Sequence, residues 1–108
     1  MNSEHGLDGK TLGHISSVLA RFPEVEKAVL FGSRAKGTHR TGSDIDLALV
    51  GALNTRIVGR IDDAFDDLLL PYRFSLVILS EKTDPEVTAH IDRVGITLFQ
   101  KEHVGAGR

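Results

Sequence analysis

The sequence predicts an α/β or α+β fold, a small sheet of about four strands covered by helices. Three observations predict it. Short apolar runs bounded by Gly, Ser or Pro fall near residues 26–31, 44–50, 74–79 and 96–99, with the length and context of strands. Between them, apolar residues recur every three to four positions, the period of a helix face. The two patterns alternate along the chain: helix, strand, short helix, strand, helix, strand, helix, strand.

Each element has its own signals. Residues 1–7 are mostly polar and are expected to be loose. Asp8 or Thr11 could cap the first helix, whose apolar face is Leu12, Ile15, Leu19 and Phe22, and Pro23 ends it. The first strand, at about residues 26–31, runs into Gly32-Ser33. Ser33 starts a short helix to about Gly37, and the free N–H groups of such a start attract anions. Residues 38–43 are a polar loop, and Gly51 breaks the second strand after about residues 44–50. Asn54 or Thr55 could cap the next helix, with Ile57, Ile61, Phe65 and Leu68 as its stripe. Its other face carries Arg56, Arg60, Asp62, Asp63, Asp66 and Asp67. These charges flank a clean helical period, so they read as a solvated face rather than a metal site.

After a turn at Leu70-Pro71-Tyr72, the third strand places Phe74, Leu76 and Ile78 on one face and Ser75, Val77 and Leu79 on the other. Asp84-Pro85 is an N-cap followed by Pro at the first helical position. The helix it opens has Val87, Ile91 and Val94 as its buried stripe and Gly95 as its stop. Residues 96–99 form a last strand at an edge, which could pair with a copy of itself in a homodimer. Residues 101–108 are expected to fray.

Composition bounds the function. The 108 residues fit one domain, 1–108, with a core at about 10–100. The chain is 41% hydrophobic and 26% charged, which is ordinary globular usage. A net charge of −2 gives no footprint for stable nucleic-acid binding, although Arg34, Lys36, His39 and Arg40 leave room for a locally basic mouth. The absence of Cys excludes disulfides and Cys-based zinc sites. No apolar run approaches 18 residues and none at the N-terminus has the pattern of a signal peptide, so no membrane association and a cytoplasmic location are expected.

The chemistry-bearing stretch is Gly32-Ser33, ten residues, then Asp44-Ile45-Asp46. Strand alternation points Asp44 and Asp46 the same way, with α-carbons about 6.5–7 Å apart. Two carboxylates so close repel unless a cation sits between them or one keeps its proton. A hard divalent cation such as Mg²⁺ is the simplest occupant. The stretch is not a P-loop, because Thr38 stands where the phosphate-binding Lys belongs. Arg34 and Lys36 read equally well as phosphate neutralisers and as solvated surface. The five His residues offer no His-x₃-His pair: His5 and His103 lie in the tails, His14 and His90 on helices, and His39 alone in the loop of this stretch.

The same stretch, in the text Leu30-Phe31-Gly32-Ser33-Arg34-Ala35-Lys36-Gly37 and Gly42-Ser43-Asp44-Ile45-Asp46-Leu47, resembles the DNA polymerase β-like nucleotidyltransferase superfamily. It looks most like the minimal, stand-alone nucleotidyltransferases (MNT) of prokaryotes. Leu70-Pro71-Tyr72 and His90-Ile91-Asp92-Arg93-Val94-Gly95 resemble that group too, so the likeness covers about residues 10–100. It implies a palm-like fold with a small mixed sheet. It also implies a nucleoside triphosphate, expected to be ATP, bound with Mg²⁺ or Mn²⁺, and transfer of a nucleoside monophosphate to a hydroxyl. Asp44 and Asp46 would be the catalytic metal ligands, and Gly32, Ser33, Arg34, Lys36 and Ser43 the nucleotide-binding residues. Proteins of this kind are often paired with a helical HEPN-type partner as toxin and antitoxin.

One position departs from the pattern. The family usually carries a third acid on the strand after Leu-Pro-Tyr, and here that position is Ser75. Glu81 shares its strand parity but lies about 20 Å further along an extended chain. Two readings follow: a nucleotidyltransferase, or a catalytically weak or inactive relative that binds nucleotide or partner. A nucleic-acid polymerase is disfavoured by length and charge.

Overall fold

A computed structural model of the chain describes residues 7–37 and 44–101, with the side chains of Ser33 and Lys36 outside the description. The elements run α1 (Gly9–Ala20), β1 (Val25–Phe31), α2 (Gly32–Lys36), β2 (Ile45–Gly51), α3 (Thr55–Asp66), β3 (Phe74–Ile78), α4 (Pro85–Val94) and β4 (Ile96–Gln100). The expected α/β order of a four-stranded sheet with helices is the one observed. The strands lie in the order β3-β2-β1-β4. β1 is antiparallel to both β2 and β4, whereas β2 and β3 are parallel, so the sheet is mixed. Parallel neighbours need a crossover, and α3 supplies it.

The period-2 pattern fixes which way the sheet faces. Ala28 and Leu30 of β1 and Ile45, Leu47 and Leu49 of β2 have no exposed surface. They pack with Ile15, Val18 and Leu19 of α1 and Ile61 and Phe65 of α3. Burying each Leu, Ile, Val or Phe side chain among them is worth about 1.5–3 kcal/mol, so this layer fixes the strand register. The opposite face is only partly covered: Ile91 of α4 packs on Val29 and Ala48.

Caps decide between the alternatives left by the sequence. Asp8 caps α1 by accepting from the Thr11 N–H at 2.8 Å, and Asn54 caps α3 by accepting from Ile57 at 2.9 Å. The hydrogen bond to the Thr11 N–H holds the Asp8 carboxyl below its ordinary value. Asp84 caps α4.

Two expectations are corrected. Leu7, assigned to a loose tail, is 2% exposed; it precedes the Asp8 cap and joins the same core as Leu12, the staple positions of a helix start. Val87, assigned to the buried stripe of α4, is exposed, because α4 seats its C-terminal half on β1 and leaves its first turn over solvent. The tails at 1–6 and 102–108 and the loop at 38–43 lie outside the described residues. No described helix is long and apolar enough to cross a membrane.

The Phe65 and Phe74 rings stack with centroids 4.2 Å apart and 11° between planes, which seats the start of β3 on α3. Phe65→Ala is expected to cost about 3–5 kcal/mol, read as a lowered urea midpoint at unchanged slope.

Candidate active site

β2 is an inner strand, and its buried residues aim its charged ones. With Ile45, Leu47 and Leu49 turned into the core, Asp46 must project from the opposite face. Asp44 stands exposed immediately before the strand. The Asp46 carboxyl is pushed above its ordinary 3.8, first by desolvation and then by the charge of Asp44. The pair is thus a concentration of negative charge with a cost. Among the described residues, no group of three or more His, Cys, Asp or Glu side chains is arranged to hold a metal.

Gly32 is the second component. It sits at φ +76° where β1 turns into α2, a conformation that side chains rarely adopt. Its neighbour Phe31 pairs with Asp46 across the sheet, and a β-carbon on Gly32 would run into the Asp46 carboxylate. On the face where a side chain would stand, Gly32 admits the Asp46 carboxylate. Its N–H donates to Nε2 of His90 at 3.2 Å.

Arg34 of α2 is 2% exposed, so its solvated-surface reading is wrong. Its guanidinium carbon lies 4.9 Å from the centroid of the Tyr72 ring, a cation–π contact that ties α2 to the loop entering β3. Ser33 and Lys36 belong to α2 by their backbone. Ser43, like His39 and Arg40, lies outside the described residues.

Ser75 completes a row. β3 lies parallel to β2 with Ser75 in register with Asp46, so the two share a face at the strand spacing of about 4.8 Å. Phe31, Asp46 and Ser75 therefore run side by side across three strands. The position that the resemblance gives to a third carboxylate is beside Asp46, and it holds an exposed hydroxyl. Glu81 falls beyond the end of β3, in the turn that follows, and is exposed. The acidic face of α3 lies on the other layer; its Asp62 carboxyl is raised by desolvation, then by Asp66 and Asp63.

Two residues have no role assigned from the sequence, although both lie in its family-like text. His90 is half-buried on α4, with its ring edge-on to Phe31 at 6.2 Å and 81°. Its local signals are its place beside buried Ile91 and in the text His90-Ile91-Asp92-Arg93-Val94-Gly95. Tyr72 lies in the turn Leu70-Pro71-Tyr72, which is part of the resemblance but carries no role there.

A sign follows for stability. The folded-state carboxyl of Asp46 lies above its ordinary 3.8, so the folded protein takes up that proton first as pH falls. The charged form destabilises the fold at neutral pH, and the penalty disappears below pH 3.8. Asp46→Asn is expected to raise the melting temperature at neutral pH by about 2 °C, since water screens most of the effect. Calorimetry should show the gain shrinking towards zero in acid. Gly32→Ala should instead lower it, because both φ and the Asp46 contact oppose a methyl group.

No curated protein gives a significant match to the chain. Solved structures do match its fold. A toxin–antitoxin structure with AMP-PNP matches at 23% identity over 86% of this chain and 76% of the other, with a TM-score of 0.68. A complex of tri-AMPylated Shewanella oneidensis HEPN toxin with MNT antitoxin matches at 19% identity over 88% and 74%, with a TM-score of 0.62. The toxin–antitoxin structure MntA–HepT matches at 20% identity over 83% and 70%, again at 0.62. At these identities the likeness is one of fold. The family model for polymerase beta, nucleotidyltransferase, matches residues 13–104, most of the chain and all of the row just described. The chain belongs to the polymerase beta nucleotidyltransferase family.

Proposed function

We propose that this protein binds ATP through the Asp44–Asp46 pair with a divalent cation, and transfers AMP to a hydroxyl on a HEPN-type helical partner. The observation that carries the reading is the Asp46 carboxylate, raised by desolvation and by Asp44 and resting against Gly32. Such a charge concentration is relieved by a hard cation, and carboxylate oxygens are the donors Mg²⁺ or Mn²⁺ prefer. When bound, that cation supplies positive charge to the triphosphate oxygens and to the departing pyrophosphate.

The chain's own residues set the rest. Gly32 leaves room for Asp46, and Arg34 on Tyr72 fixes α2 relative to β3. Ser33, Lys36 and Ser43 are assigned to the phosphates. In the transfer, the acceptor oxygen bonds to the α-phosphorus, the bond to the bridging oxygen breaks, and pyrophosphate leaves while the acceptor proton passes to solvent. Family membership supports the reaction class, and the fold's likeness to HEPN–MNT complexes supports the partner class.

Ser75 favours a second reading, in which the protein binds nucleotide or partner and turns over slowly or not at all. A neutral hydroxyl beside Asp46 is a poor substitute for a carboxylate ligand. Incubation with α-labelled ATP, Mg²⁺ or Mn²⁺ and a HEPN-type protein separates the two. On the transfer reading the partner takes label, and Asp44→Asn or Asp46→Asn lowers the rate on the order of 100-fold or more. A wild type that stays silent while Ser75→Asp labels the partner establishes the binding reading.

A further inference from the structure

We propose that His90 is a positioning residue for the nucleotide site, acting through the Gly32 N–H. The bond joins residues 58 apart in sequence, from the last turns of α4 to the junction of β1 and α2. Gly32 opens a helix, and the first N–H groups of a helix have no partner within it. The sheet does not supply one either: β4 starts opposite Leu30 with Ile96, so its ladder ends before Gly32, and on the other side the pairing with β2 ends at Phe31 and Asp46. The imidazole of His90 fills that gap.

The ring is held for this task. Its edge-on contact with Phe31 limits its rotation, and Phe31 is itself the neighbour of Asp46 in the ladder. Gly95 lets the end of α4 come close to β1, since a β-carbon there would strike the Ile91 carbonyl and the Val29 side chain. An Nε2 that accepts from an N–H carries no proton, so the neutral ring holds its hydrogen on Nδ1. The bond fixes the peptide of the one residue whose missing side chain makes room for Asp46. His90 thereby sets how Asp46 sits without touching the substrate. The affinity part of this proposal rests on the nucleotide reading above; the hydrogen bond itself does not.

Side-chain length gives a test. The Gln amide has its terminal atoms at the same number of bonds from the backbone as Nε2 of His, whereas those of Asn fall one bond short. Amide hydrogen exchange at Gly32 is followed by NMR in wild type and in the full-length variants His90→Gln, His90→Asn and His90→Phe, and ATP binding with Mg²⁺ is measured by calorimetry. Phe keeps an aromatic ring against Phe31 and loses the acceptor. His90→Phe and His90→Asn are expected to speed Gly32 exchange about 10-fold or more, with Ile91 exchange unchanged, and to weaken ATP about 10-fold. His90→Gln is expected to stay within about 3-fold of wild type in both. A general loss of packing would instead affect Gln and Asn alike. Equal Gly32 exchange in wild type and His90→Phe, or equal effects of Gln and Asn, overturns the proposal. If wild type takes up no ATP, the nucleotide reading fails instead, and the exchange data still decide whether His90 holds Gly32.

Discussion

The close approach of the Asp46 carboxylate to the side-chain-free face of Gly32 is the contact on which the site depends. It is produced by register. Leu30 pairs with Leu47 and Phe31 with Asp46, and the fully buried leucines fix that alignment. A slip of one residue would drive Asp46 into the core and turn Leu47 out to water, at a cost of several buried side chains. The hydrophobic layer under α1 and α3 thus aims a charge that it never touches.

Three contacts between elements then hold the row of Phe31, Asp46 and Ser75 from different sides. The stacked Phe65 and Phe74 seat β3 from the core layer. Arg34 on Tyr72 ties α2 to the entry of β3. His90 ties α4 to Gly32. Each fixes a backbone element rather than a reacting group, which is what preorganisation of a polar site requires. The position to which the resemblance gives a third carboxylate is in register beside Asp46, and its side chain there is a hydroxyl.

Much of this was legible in the sequence because its signals are local. The alternation in Ile45-Asp46-Leu47 told which side of β2 faces the core, and Asp84-Pro85 and Gly95 marked both ends of α4. Element ends agree to within a residue or two. What local patterns could not carry were pairings made by topology. That Ser75 stands beside Asp46 follows from the parallel pairing of β2 and β3, which no turn specifies. Arg34 meets the ring of Tyr72, 38 residues later in the chain. His90 meets the Gly32 N–H, 58 residues away, only through the packing of α4 on the end of β1. Leu7 looked like part of a polar tail because a single apolar residue before a cap has no period to be read.

These features make one physical claim: Asp46 is held in an unfavourable charged state that a bound cation and nucleotide would relieve. The most direct measurement follows the Asp46 carboxyl carbon by NMR through a pH titration, first without metal and then with saturating Mg²⁺ and ATP. The expected midpoint lies above the ordinary 3.8 without metal and below it when Mg²⁺ and ATP are present. An Asp46 that titrates at its ordinary value in both conditions would contradict the account.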